Sequence, residues 1–461
     1  MASSHSHSKI VPTASLVLGA LAGIATATGA GSALALRHDP TAAPPTLEVS
    51  HVPPLLTAGG EGIELAYDVY CVGPDDPELA CDARGTVFVR PGDAGEFRPI
   101  ALRPAPGSSE STHIAPLPTA VTESPSGFSY YAELTSERVG SSVVLPAGGA
   151  SAPQRSLPLG QAIAVDLGAH RFGGTRAPDE RVAAASWGAG VGEVGLEQGP
   201  NLTPIGGSSF DVGRDGTVHV LDEANRRLLR FPTGARVPAH VPLRVDGTIA
   251  DIALGSDGTA FVLETASAAR ERPVLRAFAR DGSERGEAEV AERAAQVRMG
   301  PDGTPFVLQH PSGQWMPGLR RGRLLGAREQ QAAGRPGRPL PGGGEVLVLR
   351  HGNELRLALA GPRGTRQSWR VTSETPLAEV QLAEAVARRL VVVVRIHTDV
   401  EDEFLVLVLG EDGIVSELSI EPADWAETAP LSRFRLAGTS LYRLGSTAAG
   451  LFVDRFDLEV E

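Results

Sequence analysis

Three segments, Phe210–Leu221, Ile252–Leu263 and Val297–Leu308, each run as an apolar stretch, an Asp-Gly-Thr turn and a second apolar stretch. Their turn aspartates, Asp215, Asp257 and Asp302, lie 42 and 45 residues apart. A single hairpin of this kind cannot bury its own apolar faces. Units recurring at such a period bury them by stacking on one another, each as one blade of a β-propeller. Weaker copies follow at Gly342–Leu349, Ala387–Val394 and Leu444–Val453. At about 43 residues per blade, the stretch from Gly206 to Glu461 accommodates close to six. A blade is covered by neighbours on both faces, so its middle strands should be continuously apolar, as Val391–Val394 and Leu405–Leu409 are. Little sequence follows the sixth copy. Ala162–Leu167 and Val182–Ala185 are expected to supply the missing outer strands, which places 156–461 in the propeller and protects its sheet edges.

The first copy continues as Val218-His219-Val220-Leu221-Asp222-Glu223-Ala224-Asn225-Arg226-Arg227. It resembles the NHL repeat of six-bladed propellers, in which a turn glycine is followed by an Asp-x-x-Asn-x-Arg turn. The motif maintains blades and implies a fold, not an activity. Some propellers of this kind are lactone hydrolases or amidating lyases, which hold a metal in the central channel. The innermost strands are expected at Ser208–Gly213, Ala250–Leu254, Ala295–Met299, Ala378–Ala383 and Ser440–Leu444, and none contains histidine. Strand alternation puts Ser209 and Asp211, Asp251 and Ala253, and Gln296 and Arg298 on one face. Asp211, Asp251 and Glu379 would suit a hard cation such as calcium if they converged; a hydrogen-bonded channel wall is the plainer expectation, with no cofactor.

Acidic residues outnumber basic ones, 55 to 42, for a net charge of −13. That balance argues against nucleic acid as a partner. Residues 1–35 read as an export signal: Lys9, an apolar Ile10–Ala27 stretch, and Ala33-Leu34-Ala35 as a small-x-small cleavage pattern. Retained uncleaved, the segment would be the chain's membrane contact. Residues 36–54 read as a Pro/Ala-rich tether. Residues 55–150 show short β-type segments between turn clusters, the pattern of an immunoglobulin-like β-sandwich. Cys71 and Cys81 are the two cysteines. In an oxidising compartment they should pair, stapling one strand–loop–strand connection without joining two sheets.

His310, His351 and His397 each follow a blade turn by seven or eight residues, which puts them on one rim as contact residues. Blades about 10 Å apart would hold them too far apart for a shared metal. His219, inside a β-run, is expected to be packed and hydrogen-bonded. Arg320, Arg321, Arg323, Arg328, Arg335 and Arg338 form a basic insertion, either a solvated flexible loop or a docking point for a polyanion. The expected architecture is all-β, a C-terminal six-bladed propeller behind an N-terminal immunoglobulin-like sandwich. The expected role is an exported, non-catalytic binding or scaffolding protein that takes a protein or an envelope glycan, through Asp211, Asp251, Arg298, Glu379 and the three histidines. The alternative is a metal-dependent lactonase- or lyase-like enzyme.

Overall fold

The Asp-Gly-Thr turns set the local geometry. In each, the aspartate Oδ1 accepts the N–H of the threonine two residues on, at 3.1, 3.0 and 3.1 Å for Asp215, Asp257 and Asp302. The intervening Gly216, Gly258 and Gly303 sit at φ 77°, 82° and 79°, a conformation that glycine adopts without steric cost. The computed structural model describes residues 45–73, 81–107, 111–199, 203–234, 237–245, 247–265, 272–291, 293–310, 313–361, 364–428 and 432–460. The expected export signal and most of the tether lie outside them. No helix among the described residues is long and apolar enough to cross a membrane.

The protein is nearly all β, and its C-terminal part is a β-propeller. Its described residues form six antiparallel sheets plus a two-stranded ribbon. The first sheet runs Ser209–Val212, Val218–Asp222, Arg227–Phe231, Ala239–Pro242, and the second Ile249–Leu254, Ala260–Glu264, Val274–Phe278, Glu284–Glu289. The third has three strands, Ala294–Met299, Pro305–Gln309 and Gln314–Pro317. The fourth begins at Arg338–Leu340 and continues through Gly344–His351, Glu354–Gly361 and Gly364–Thr372. The fifth is Leu377–Val386, Arg389–His397, Asp402–Gly410, Gly413–Ile420, and the sixth contains Phe434–Ala437, Ser440–Thr447 and Gly450–Asp457. The first strands of the first, second and third sheets lie side by side; Gly344–His351 of the fourth lies beside Leu377–Val386, which lies beside Phe434–Ala437, and that strand lies beside Ser209–Val212.

Burial explains the continuous apolar strands. In Arg389–His397, Leu390, Val392, Val394 and Ile396 join one core cluster, while Val391 and Val393 join another. Alternate side chains therefore pack against different neighbouring sheets.

Residues 163–199 run across the later sheets as a strap. Ile163–Asp166 extends the fourth sheet in parallel with Gly364–Thr372, Thr175 bridges to Ser419, and Glu180–Ser186 pairs antiparallel with Gly450–Asp457. The NHL-like residues hold the strap's end. Asp222 accepts from the Gly195 N–H (2.9 Å), Asn225 Nδ2 (2.9 Å) and Arg227 Nε (2.8 Å), and Arg227 Nη2 reaches the carbonyls of Gly190 (3.1 Å) and Glu193 (2.8 Å). A second buried lock joins His170 Nε2 to Glu403 Oε2 at 2.9 Å.

One innermost strand departs from expectation. In the sixth sheet Phe434–Ala437 is first and Ser440–Thr447 second, because the tight turn is Gly438 (φ 63°) and not the later Gly450. The basic insertion is also structured: a Leu319–Arg320/Arg323–Leu324 ribbon and a helix over Ala327–Ala332.

The N-terminal module is two sheets around one core. Thr46–Ser50, Glu64–Val72, Thr112–Pro116 and Arg103–Pro104 form one; Leu56–Thr57, Gln154–Pro158, Phe128–Ser136, Arg84–Pro91 and Arg98–Ala101 form the other, with Ser141–Leu145 also on Phe128–Ser136. Leu65, Tyr67, Val87, Val89, Ala132 and Leu134 fill the space between them. This corrects both boundaries at 55 and 150. Thr46–Ser50, expected in the tether, pairs with Glu64–Val72, and Gln154–Pro158, whose last three residues were assigned to the propeller, belongs to this module. The Cys71–Cys81 disulfide forms, with Cα atoms 5.2 Å apart. Cys71 lies in Glu64–Val72 and Cys81 in the connection that leads to Arg84–Pro91, so the bridge staples one strand–loop–strand connection, as expected, although the two strands belong to different sheets.

The module is docked onto the fourth sheet. Leu56, Leu157 and Leu159 pack with Leu347, Ala358 and Ala360. Arg356, 7% exposed at its side chain, donates to Glu61 Oε2 (2.6 Å), Glu354 Oε1 (2.7 Å) and the Leu56 carbonyl (3.2 Å). Gln314 Nε2 donates to Gln154 Oε1 at 3.0 Å. Arg356→Ala would strand two carboxylates at this joint. We expect a loss of about 3 kcal/mol in urea unfolding and separation of a single transition into two; one unchanged transition would contradict the docking.

Candidate functional site

At the inner ends of the propeller sheets the acidic residues do converge, but on arginine. Asp251 is fully buried. Its Oδ1 accepts from Ser209 Oγ (2.6 Å), Ser432 Oγ (2.9 Å) and Arg435 Nη2 (2.6 Å); its Oδ2 accepts from the Val297 N–H (2.8 Å) and Arg298 Nη1 (2.6 Å). Burial opposes ionisation, yet Arg298 and Arg435 hold the carboxyl below its usual range. Asp211 accepts the N–H groups of Val212 (2.8 Å) and Leu254 (2.7 Å), with Arg435 Nε 3.8 Å away. Burial raises its pKa in spite of Arg435. The Arg298 guanidinium is pushed down to about 10 by burial and by its neighbour Arg435.

This donor set does not fit calcium. Both Asp251 oxygens are saturated by N–H and O–H donors, and two guanidinium groups repel any cation brought beside them. Among the described residues no cluster of three or more His, Cys, Asp or Glu is placed to hold a metal. Arg435 was missed by sequence reasoning because its strand was not read as an innermost one. The signal available was a second Phe-Arg alternation, Phe434-Arg435, matching the polar-inward spacing of Phe210-Asp211.

The other sequence-derived candidates divide among separate places. Arg298, Glu379 and His310 line one cavity of about 230 Å³, together with Gln296, Arg338 and Glu384. Arg338 and Glu384 form an ion pair across it, and Glu379 accepts from Gln381 Nε2 at 3.0 Å. His351 lies near Glu61 at the docked joint, where the two interact electrostatically. His397 lines a shallow depression with Arg395, Asp399 and Glu401. The three histidines thus face different surroundings and do not act as one rim. His219 is half-buried within Val218–Asp222, but its Nδ1 has no hydrogen-bond partner.

A further site lies where the two modules meet. A cleft of about 730 Å³ has Thr46–Val49, His51, Tyr130 and Val143–Ala147 on the N-terminal side. Arg272, Val290, Ala291, Arg293, Gln309, His310, Gln314, Ala327, Arg328 and Gln331 face them from the propeller and the insertion helix. Arg293 pairs with Glu48 (3.5 Å) and Arg272 with Glu289 (3.8 Å). Arg328 is exposed and has no ion pair among the described residues.

His51 and Tyr130 form the cleft's inner wall. His51 Nδ1 lies 2.7 Å from the Ala66 carbonyl, which can only accept, so Nδ1 carries the proton. In the neutral ring Nε2 is then the acceptor, and Tyr130 Oη, 2.7 Å away, donates to it. The imidazole also stacks on Tyr67 at 4.3 Å. Burial lowers the His51 pKa to about 4, outweighing the Ala66 carbonyl and Asp68.

Two outcomes follow. Asp251→Ala removes the carboxylate shared by the buried Arg298 and Arg435, leaving Asp211 near Arg435 alone, and should cost about 3–5 kcal/mol, whereas Glu379→Ala, at an exposed site, should stay within about 0.5 kcal/mol in the same denaturation assay. The folded pKa of His51 is below its unfolded value of about 6.5, so the unfolded chain takes up the proton first as pH falls. Its contribution is complete above pH 6.5 and disappears on the way down to pH 4. His51→Gln should flatten the stability–pH curve in that window by about 2–3 kcal/mol; an unaltered slope would refute the assignment.

No family model and no curated protein matches the chain. Among solved structures it is similar to hydrazine synthase from Kuenenia stuttgartiensis, at 12% identity and TM-score 0.37, over 54% of this chain and 80% of that one. It is similar to virginiamycin B lyase from Staphylococcus aureus at 14% identity and TM-score 0.33, over 54% and 80%. A Bacteroides thetaiotaomicron protein of unknown function matches at 9% identity and TM-score 0.32, over 90% of this chain and 99% of that one.

Proposed function

We propose that this is an exported, non-catalytic binding protein of the cell envelope. In this reading an immunoglobulin-like sandwich is fixed to a six-bladed NHL-like propeller, and a protein or glycan ligand sits in the cleft between them. The observation that carries the reading is the cleft itself: both modules line it, and Arg356, Gln314 and the Leu56–Ala360 core hold its walls at a set separation. A preformed site of this size loses little ordering entropy on binding. The disulfide supports an oxidising destination. The lactonase- or lyase-like alternative has less support, since Asp251, its central ligand candidate, is committed to two arginines.

The test uses one blocking substitution from each wall, Ala147→Trp with Ala327→Trp. Parent protein screened on peptide and glycan arrays should retain ligands that the double variant loses. Identical retention by both proteins would rule out the cleft. Metal-dependent turnover that vanished in Asp211→Ala would establish the enzyme instead.

A further inference from the structure

Along a β-strand, side chains alternate between the two faces, so a cavity touching one face is lined by every second residue. The inter-module cleft is different. Four consecutive residues, Thr46 to Val49, line it, and so do five more, Val143 to Ala147. Consecutive lining means that the strand edges, with their backbone groups, border the cavity.

Neither strand has a hydrogen-bonded strand partner on its outer side, and the two edges lie near each other. Thr46–Ser50 ends its sheet, paired with Glu64–Val72 alone, and Ser141–Leu145 pairs with Phe128–Ser136 alone. Unpaired edges attract a further strand, and proteins usually blunt them. Here they border a cleft whose opposite wall carries side-chain amides from Gln309, Gln314 and Gln331 and the guanidinium groups of Arg272 and Arg293, paired with Glu289 and Glu48, and of the exposed Arg328, which has no ion pair among the described residues.

We propose that the cleft binds an extended acidic peptide, which adds a strand to one of these edges and directs its carboxylates toward the arginines. The proposal rests on the cleft being the binding site. Five residues of edge, about 17 Å at 3.3–3.4 Å each, set the length of segment engaged. Backbone pairing supplies affinity, and the arginines select sign of charge. An anionic glycan meets the arginines equally well but leaves the strand edges unpaired. Tyr130 adds a constraint: its proton is committed to His51, so Oη can only accept from a ligand donor, which a peptide N–H provides.

The test titrates the full chain with a ten-residue alternating Val-Glu peptide, its Val-Lys counterpart and an alginate hexamer, and follows hydrogen exchange. The acidic peptide should bind, weaken with salt, and slow exchange at Thr46–Ser50 or Ser141–Leu145. The Val-Lys peptide and the Arg328→Glu variant should each bind at least about tenfold more weakly, roughly 1.4 kcal/mol. No binding of Val-Glu peptide up to millimolar concentration overturns the inference, as does binding without edge protection. If alginate alone binds and Ala147→Trp/Ala327→Trp abolishes it, the peptide inference falls and the cleft reading stands. If the peptide binds the blocked variant as well as the parent, both fall.

Discussion

A single carboxylate ties the propeller's centre together. Asp251, on the second sheet, receives Ser209 from the first, Val297 and Arg298 from the third and Arg435 from the sixth, with Ser432 alongside. Five donors on two oxygens leave the charge fully solvated by protein, which is what permits it to be buried. The same bonds fix how closely the first strands approach. The inner ends of these sheets consequently have a structural role.

The N-terminal module adds a second wall to the propeller's surface. A sandwich tethered loosely would present its own surfaces and nothing more. Docked through Arg356 and the Leu56–Leu347 contact, it forms a wall opposite the third sheet and the insertion helix. The strap has a comparable effect on the propeller. By pairing Glu180–Ser186 with the last strand and clamping Gly188–Gly195 against Asp222 and Arg227, it removes the outer edges that a linear repeat would expose.

Much of the architecture was legible from local chemistry. Asp-Gly-Thr turns and runs such as Val391–Val394 report hairpins covered on both faces, and the structure has them there. The reading failed where the deciding partner is distant in sequence. Thr46–Ser50 resembles a tether until Glu64–Val72 pairs with it. Phe434–Ala437 is too short to announce itself as a strand, and the more prominent Gly450 turn drew the sixth repeat one strand too far along.

The sequence by itself determined the repeat, its hairpin turns, the apolar middle strands and the pairing of two nearby cysteines, because each depends on residues within about a dozen positions of one another. Only the tertiary structure decided what the charged residues do. Asp211 and Asp251 look alike with Glu379 as cation ligands until Arg298 and Arg435 arrive from strands 47 and 184 residues beyond Asp251. The cleft is likewise invisible in the chain, since its walls come from segments that meet only after both modules have folded and docked. Coulombic and hydrogen-bond partners are chosen by proximity in space, and sequence spacing predicts that proximity only within a turn or a hairpin.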